Sequence, residues 1–311
     1  ILVPSLFLFL FLYLVSFVLV MSVDDWFLVW LGLEINMMSF IMLVYRRYSI
    51  DVVESCLKYF FIQSLGSALF VGMLYLNKLD GMMLMVLGYK IGAGPFFFWF
   101  PSVCMGLDWF SCLLIMTGQK VIPLMLMGMF ISNVIWMIIF ISLLFGVFGS
   151  FNQSNIKQLM AYSSIHHLGW IFLCNLFDDM FWMMYMLLYS IVLMSVICIL
   201  MESEISTFFL ISKLKRKWWL IVGMLSLGGM PPLLGFYLKW MAFIYIINMN
   251  FIFIMFMIFM SVIMFYVYVR MAYDMMLHFS IYNVWLQGNK HDFMNIMGLM
   301  LGIFLGLYLM F

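Results

Sequence analysis

Residues 88–100, GYKIGAGPFFFWF, place one lysine beside two glycines and a proline in a stretch that is otherwise apolar. Gly92 and Gly94 weaken a helix, and Pro95 removes a backbone hydrogen bond and leaves carbonyl groups near Lys90 without helical partners. No acidic residue lies within nine positions of Lys90 in either direction. The stretch therefore predicts a broken helix with a cation beside the break.

The composition indicates an integral membrane protein. The 311 residues are 68% hydrophobic and 9% charged, whereas soluble domains are about 45–50% apolar and about 25% charged. The net charge of +1 favours neither a nucleic-acid partner nor acidic substrates. The five cysteines are scattered through apolar segments without a CxxC pair, so neither a metal site nor a disulfide framework is expected.

Apolar segments of about 20 residues are long enough to cross the hydrocarbon core as helices. On this criterion the sequence predicts an all-α polytopic membrane bundle of about eleven transmembrane helices, forming a single membrane domain over 1–311. The predicted spans are 1–22, 26–45, 53–77, 81–100, 107–130, 132–150, 156–177, 180–201, 218–246, 250–272 and 293–311.

Basic residues of the predicted loops lie mostly on one side of the membrane. The loops on the side of the N-terminus hold nine of them, and the opposite loops hold only Lys78. The nine are Arg46, Arg47, Lys157, Lys213, Lys215, Arg216, Lys217, Arg270 and Lys290. Loops facing the cytoplasm or matrix carry such an excess, so the N-terminus is expected inside and the C-terminus outside.

Four lysines fall inside predicted spans: Lys58, Lys90, Lys120 and Lys239. A lysine at the centre of a membrane helix costs about 2.5–3.5 kcal/mol on insertion scales. Each could snorkel to an interface or form a structural ion pair, and this alternative is strongest for Lys58, near the start of its helix. The other three favour a charge pathway, because lysine, unlike arginine, can release and take up a proton when its neighbours change.

A second break of the same kind precedes Lys239. In SLGGMPPLLGFYLKW (226–240), Gly228 opens a G-x-x-P pattern like the one that begins at Gly92. The breaks fall in the fourth and ninth predicted spans, which favours two inverted five-helix repeats with broken helices 4 and 9, plus a C-terminal helix. The alternative is that glycine and proline are merely frequent in membrane helices. The predicted repeats and terminal helix cover about 1–130, 132–272 and 293–311.

Six motifs together resemble the subunit 2 family of mitochondrial NADH dehydrogenase, respiratory complex I. They follow the family order over about three quarters of the chain. The resemblance implies an antiporter-like, proton-pumping subunit, and the span count agrees with the animal members of the family. The motifs are GLEIN (32–36), ESCLKYFFIQSLGSA (54–68), YKIGAGPFFFWFP (89–101), TGQKVIPL (117–124), FGSFNQSNIKQLMAYSSIHHLGW (148–170) and SLGGMPPLLGFYLKW (226–240).

The resemblance implies roles for individual residues. Glu34 and Lys58 correspond to a glutamate–lysine pair at one end of a buried polar axis, and we expect their side chains to lie within about 10 Å of each other. Lys90 corresponds to the lysine of the first broken helix, Lys120 to the central lysine and Lys239 to the lysine of the second broken helix. These five are the expected proton-transfer residues, and the last three are expected to form one lateral row linked by water.

Two adjacent histidines occur in AYSSIHHLGW (161–170), and histidine titrates near neutral pH. His167 matches a family histidine and is a candidate relay. His166 has no counterpart in the family, and adjacent residues cannot both face one side of a helix. Phe97 stands where the family carries a histidine, which removes one titratable group from the first break.

The resemblance implies a proton-translocating membrane-arm subunit of respiratory complex I, an NADH:ubiquinone reductase of the mitochondrial inner membrane. The N-terminus is then expected on the matrix side and the C-terminus on the intermembrane-space side. Because the sequence has no glycine-rich dinucleotide pattern and no cysteine quartet, no cofactor is expected in this chain. NADH, FMN, iron–sulfur clusters and ubiquinone are expected on other subunits.

Expected partners are the other membrane-arm subunits, including neighbouring antiporter-like subunits, and lipids such as cardiolipin. Two other functions stay open at this point. One is a stand-alone cation/proton antiporter of the related fold, although a sodium site would want clustered carboxylates and Glu34 is the only deep acid. The other is a passive structural subunit of the same complex, which four buried lysines disfavour.

Overall fold

A computed structural model describes residues 4–47, 49–76, 80–130, 132–177, 180–203, 217–231, 233–247 and 251–277. Within these residues the regular structure is helical, with thirteen α-helices, one short turn of 3-10 helix and no strand. The described residues divide into two compact units, one ending at Ser142 and the other beginning at Leu143.

The helices of the first unit are α1 (Pro4–Ser22), α2 (Trp26–Val44), α3 (Ile50–Tyr75), α4 (Asp80–Ile91), α5 (Trp99–Gly106), α6 (Trp109–Met116) and α7 (Gly118–Gly128). Helix α8 (Val134–Ser150) contributes residues to both units. The helices of the second unit are α9 (Ile156–Phe177), α10 (Phe181–Ser203), α11 (Lys217–Gly228), α12 (Leu234–Ile246) and α13 (Phe251–Leu277).

Six described segments have the length and apolarity of membrane spans. Five are continuous, namely Trp26–Val44, Ile50–Tyr75, Trp109–Gly128, Phe181–Met201 and Phe251–Met276. The sixth is a bent pair, Asp80–Phe96 with Trp99–Gly106. The prediction of an all-helical multi-pass membrane protein is confirmed for the described residues. The finer count of about eleven spans stays a prediction, because α1, α8, α11 and α12 contribute only shorter apolar helices of 10–17 residues.

Helix α3 is central to the first unit, where it contacts α2, α4 and α5. Tyr59 and Gln63 are buried on one face, and the opposite face exposes Phe61, Leu65 and Leu69. The apolar face suits lipid or a neighbouring subunit. The polar groups of the buried face must find their hydrogen-bond partners inside the protein.

Helix α9 forms the core of the second unit, in contact with α10 and α12. From Leu159 to Asn175 every side chain except that of Tyr162 is buried. Gly146 of α8 allows α9 to approach closely, since an added Cβ there would lie 2.6 Å from the backbone nitrogen of His166. Small residues at helix contacts are the usual means of close packing in membranes. Both histidines of α9 are therefore held deep inside the unit.

Several expectations fall on residues outside the described ranges. These are the terminal helix at 293–311, the side of the membrane on which the C-terminus lies, and most of the basic loop at 202–217. The single-domain organisation over 1–311 and the repeat boundary near 130 also stay predictions.

Candidate functional site

The helix is interrupted after α4, at the position where the glycine–proline pattern predicts a break. Gly92 has φ +74° and Gly94 has φ +61°, a backbone region that glycine adopts at little cost. The 3-10 turn Gly94–Phe96 leads into α5, and the two halves of the broken span meet at 92°. The Tyr89 carbonyl accepts a backbone hydrogen bond from Gly92 at 3.2 Å and a side-chain hydrogen bond from Trp99 Nε1 at 3.1 Å. A side-chain donor thus satisfies part of the interrupted backbone.

Lys90 lies in the last turn of α4 and is only 6% exposed. Its backbone carbonyl accepts a hydrogen bond from Gln63 Nε2 at 2.7 Å. Its side chain passes along α3 at Gly66, where an added Cβ would come 2.8 Å from Lys90 Cγ. The C-terminal end of a helix carries partial negative charge, which favours a cation at this position. Helices α3 and α4 therefore place a buried ammonium beside the break.

A cavity of about 20 Å³ adjoins Lys90. Its lining includes the polar side chains of Asn36, Tyr59, Gln63 and Gln119. A cavity of about 10–15 Å³ holds one water molecule when polar partners surround it. The Tyr59 hydroxyl donates to Gln119 Oε1 at 3.0 Å, and this bond ties α3 to α7. The cavity is therefore large and polar enough for one water molecule next to Lys90.

Glu34, partly buried on α2, is the acidic residue that interacts electrostatically with Lys90. Lys58 instead forms an ion pair with Glu54, one helical turn earlier on α3, with an Nζ–Oε1 distance of 2.5 Å. The side chains of this pair are 48% and 60% exposed. Lys58 therefore fits the alternative in which a lysine of a predicted span forms a structural ion pair. Among the described residues no ion pair joins Glu34 to Lys58, and their approach within about 10 Å stays a prediction.

Lys120 is 2% exposed and lies in the first turn of α7. Helix α6 ends at Met116, and the next residue, Thr117, donates from its Oγ1 to the Leu113 carbonyl at 2.7 Å. The Lys120 ammonium lies 4.6 Å from the centre of the Phe100 ring, a distance typical of a cation–π interaction. Phe100 belongs to α5, so the bend at the first break directs an aromatic face towards the central lysine.

The second break lies between α11 and α12. Gly229 has φ +85°, and an added Cβ there would come 3.1 Å from Lys239 Cδ. Lys239 is 6% exposed, and its ammonium donates to the Gly228 carbonyl at 2.7 Å. The negative end of the α11 dipole lies at this carbonyl. The sequence predicts a carbonyl without a helical partner beside a lysine, and the Gly228 carbonyl beside Lys239 fits this prediction.

His166 has a partner that restricts its protonation. The ring is fully buried, and its Nε2 accepts a hydrogen bond from Trp170 Nε1 at 3.3 Å. An indole N–H can only donate, so Nε2 must keep its lone pair for this bond to exist. His166 also interacts electrostatically with Lys239. The geometry therefore suits a neutral imidazole fixed beside the lysine.

His167 has a partner that permits either protonation state. Its Nδ1 lies 3.1 Å from the Tyr185 hydroxyl, and its ring centre lies 4.7 Å from that of Tyr189. A tyrosine hydroxyl can donate or accept, so the contact is compatible with Nδ1 as acceptor or donor. Of the two histidines His167 fits a relay better, and that role stays a prediction.

The structure assembles polar groups around Lys90 and Lys239, each within its own unit, and places an aromatic ring beside Lys120. The lateral row that would join Lys90 and Lys120 to Lys239 involves both units and stays a prediction. In the described part of the chain, no group of three His, Cys, Asp or Glu side chains is arranged to hold a metal ion. The expectation that cofactors lie on other subunits is likewise untested.

Sequence reasoning missed the neutral polar residues that serve these charges. One signal was present, because Tyr59 and Gln63 stand one helical turn apart in an apolar span. Two such residues on one face of a membrane helix predict a buried polar contact. The missed residues are Asn36, Tyr59, Gln63, Gln119, Trp170 and Tyr185.

Comparison with known proteins identifies the family. The family described as NADH:quinone oxidoreductase/Mrp antiporter, TM, matches residues 23–83 and 77–265. A curated relative from Anopheles gambiae, NADH-ubiquinone oxidoreductase chain 2, is 36% identical over 87% of this chain and 86% of its own length. This chain belongs to the NADH-ubiquinone oxidoreductase chain 2 family. The chain 2 protein of Aedes aegypti is 34% identical over 94% of this chain and 95% of its own length.

Solved structures share the fold of this chain 2 family member. A chain of respiratory complex I from Thermus thermophilus matches with a TM-score of 0.80 and 22% identity, covering 98% of this chain and 79% of its own length. A chain of the Mrp complex from Dietzia sp. matches with a TM-score of 0.70 and 14% identity, covering 91% and 61%. At these identities the likeness shows the fold alone. The fold is thus one that respiratory complex I and an Mrp complex both contain.

Proposed function

We propose that this chain is a proton-translocating subunit in the membrane arm of respiratory complex I. The observation that carries the proposal is the burial of three lysines beside irregular helix ends, with Lys90 and Lys239 6% exposed and Lys120 2% exposed. Ionisable residues inside a membrane are costly and usually mark a charge pathway. The chain 2 relatives are named as parts of NADH-ubiquinone oxidoreductase. This enzyme is therefore the complex in which we place the pathway.

In the first unit the transfer step involves Glu34, Lys90 and the adjoining cavity. A charged Glu34 stabilises the Lys90 ammonium by electrostatic attraction. When Glu34 is neutralised or moves, that stabilisation is lost and Lys90 gives its proton to a water molecule in the cavity. Gln63 and Gln119, which line the cavity, can orient such a water because an amide both donates and accepts.

In the second unit Lys239 performs the corresponding step. Its charged form is stabilised by the Gly228 carbonyl at 2.7 Å, and release of its proton weakens that bond. His167 and the Tyr185 hydroxyl then carry the proton onward, while Trp170 keeps His166 neutral. Lys120, in the first unit, is the third member of the proposed row.

The proposed assembly follows from this function. The chain crosses the mitochondrial inner membrane about eleven times in two inverted repeats, with its N-terminus on the matrix side and its C-terminus on the intermembrane-space side. Its partners are other membrane-arm subunits, including antiporter-like ones, and lipids such as cardiolipin. The complex is an NADH:ubiquinone reductase whose NADH, FMN, iron–sulfur clusters and ubiquinone lie on other subunits.

The test substitutes methionine for Lys90 in the assembled complex. Methionine keeps the length and apolar stem of the side chain and removes the charge, so assembly should persist and proton translocation per complex should fall. The measurement is NADH-driven proton uptake by membrane vesicles, normalised to assembled complex. Lys157→Met, at the N-terminal end of α9, is the control and should pump normally. Full pumping by Lys90→Met would reduce Lys90 to a structural residue.

The two alternative functions make different predictions in the same material. A stand-alone antiporter would migrate apart from the redox-active complex after purification from native membrane. A passive subunit would tolerate methionine at Lys90, Lys120 and Lys239 alike. Co-migration together with loss of pumping in all three variants would support the proposal over both alternatives.

A further inference from the structure

A second cavity, with a volume of about 360 Å³, lies in the second unit and does not involve Lys239 or the histidines. It is formed by the loop after α8 and the last turns of α13, and its polar lining includes Asn152, Gln153, Ser154, Arg270 and Asp274. We propose that it binds the headgroup of a phospholipid that carries both a phosphate and a primary ammonium, as ethanolamine phospholipids do. The volume falls in the range of about 300–1,000 Å³ that small-molecule sites occupy.

The cavity presents two opposite charges. Arg270 Nη1 donates to the Phe151 carbonyl at 3.3 Å, which holds the guanidinium at the cavity, and most of its five N–H donors stay available. Asp274 lies one helical turn further along α13, on the same face. Among the described residues neither of the two forms an ion pair with the other or with a third side chain. An unpaired cation and anion in one cavity match a ligand that carries both charges.

The surroundings suit a lipid better than a free ion. Helix α13 is a membrane span, and Val262 and Tyr266 are exposed on it, 58% and 57% respectively. Tyr266 precedes Arg270 by one turn, about 6 Å along the helix axis. Phe148 of α8 is also exposed, at 56%. With its phosphate on Arg270, a lipid would lay its acyl chains along these apolar side chains.

The pair of charges also discriminates between headgroups. The primary ammonium of ethanolamine can donate charge-assisted hydrogen bonds to Asp274. The quaternary ammonium of choline has no N–H group and cannot donate. Cardiolipin carries two phosphates and no ammonium, so the Asp274 carboxylate would repel it. The geometry therefore favours ethanolamine phospholipid over choline phospholipid, and both over cardiolipin at this cavity.

The experiment measures lipid binding to the full chain. The chain is inserted into nanodiscs of neutral choline lipid, and binding of phosphatidylethanolamine, phosphatidylglycerol, cardiolipin and inorganic phosphate is measured by native mass spectrometry. Phosphatidylethanolamine should bind in preference to the other ligands. Arg270→Gln and Asp274→Asn should each weaken it about tenfold, as loss of a hydrogen bond to a charged group does.

Two further variants control for folding and for non-specific attraction. Arg270→Lys keeps the charge and should retain part of the affinity. Arg46→Gln removes an exposed guanidinium of the first unit, which pairs with Asp108 at 3.0 Å, and should bind phosphatidylethanolamine normally. An equal loss of affinity in Arg46→Gln would show that binding is non-specific and would overturn the proposal.

Other outcomes would also overturn it. If Asp274→Asn has no effect and phosphatidylglycerol binds as tightly as phosphatidylethanolamine, the cavity recognises phosphate without an ammonium. If millimolar inorganic phosphate displaces the lipid, the ligand is the free anion. A structure of the assembled complex with a neighbouring subunit's side chain in the cavity would assign it to a protein contact instead.

Discussion

Replacing Gly229 by alanine should destabilise the second unit and impair proton translocation, because the position has two separate requirements. The backbone φ of +85° costs a residue with a Cβ about 1–2 kcal/mol. The new Cβ would also lie 3.1 Å from Lys239 Cδ and 3.2 Å from its Nζ, so the lysine side chain must move by a few tenths of an ångström, which weakens its hydrogen bond to the Gly228 carbonyl. A hydrogen bond from a charged group contributes about 1.5–3 kcal/mol. The expected loss is therefore about 1–2 kcal/mol from the backbone plus a part of the hydrogen-bond contribution, and about 5 kcal/mol at most.

The measurement is unfolding of the full chain by SDS in mixed micelles, paired with proton uptake by vesicles that contain the assembled complex. Gly72→Ala is the matched control, because no heavy atom lies within 4 Å of the Cβ it would add to α3. Alanine is favoured over glycine in a helix by about 1 kcal/mol, so this variant should be unchanged or more stable.

A second background separates the two parts of the loss. In a Lys239→Ala chain, Gly229→Ala should cost only the backbone part of about 1–2 kcal/mol, because the side chain that it displaces is gone. The reasoning would be refuted if Gly229→Ala were as stable as Gly72→Ala and pumped normally. An equal cost in both backgrounds would refute the steric contact with Lys239 specifically.

Three other substitutions test the first unit. Glu34→Gln should reduce pumping strongly, since it removes the acidic residue that interacts with buried Lys90. Its control, Glu54→Gln, should pump normally, because it breaks only an exposed ion pair that contributes about 0–1 kcal/mol. Comparable losses of vesicle proton uptake in the two variants would contradict this assignment. Gln63→Leu should lower the free energy of unfolding by about 1–3 kcal/mol, because the Lys90 carbonyl loses its donor in a buried site, and an unchanged SDS midpoint would show that the hydrogen bond is dispensable.

Local features of the sequence were sufficient to predict the class of protein and the places where its helices break. An apolar composition with few charges leaves only a membrane bundle. The steric properties of glycine and proline act within a few residues, so the breaks after α4 and α11 could be located at Gly92 and Gly228 without knowing any contact. The burial of Lys90, Lys120 and Lys239 follows from the same local pattern, because each lies well inside an apolar span.

Partners were a different matter, and only the tertiary structure decided them. The sequence pairs Glu34 with Lys58 by family resemblance, and that approach stays a prediction; the structure adds two interactions that the sequence did not predict, an ion pair of Lys58 with Glu54 and an electrostatic interaction of Glu34 with Lys90. The two histidines differ in the same way, since Trp170 restricts the protonation of His166 while Tyr185 leaves that of His167 open. Successive residues of a helix point about 100° apart, so the sequence gives the directions of side chains only relative to one another and leaves the rotation of the whole helix about its axis open. The sequence therefore predicts how deep a residue lies in the membrane, whereas packing against neighbouring helices sets the direction in which its side chain points.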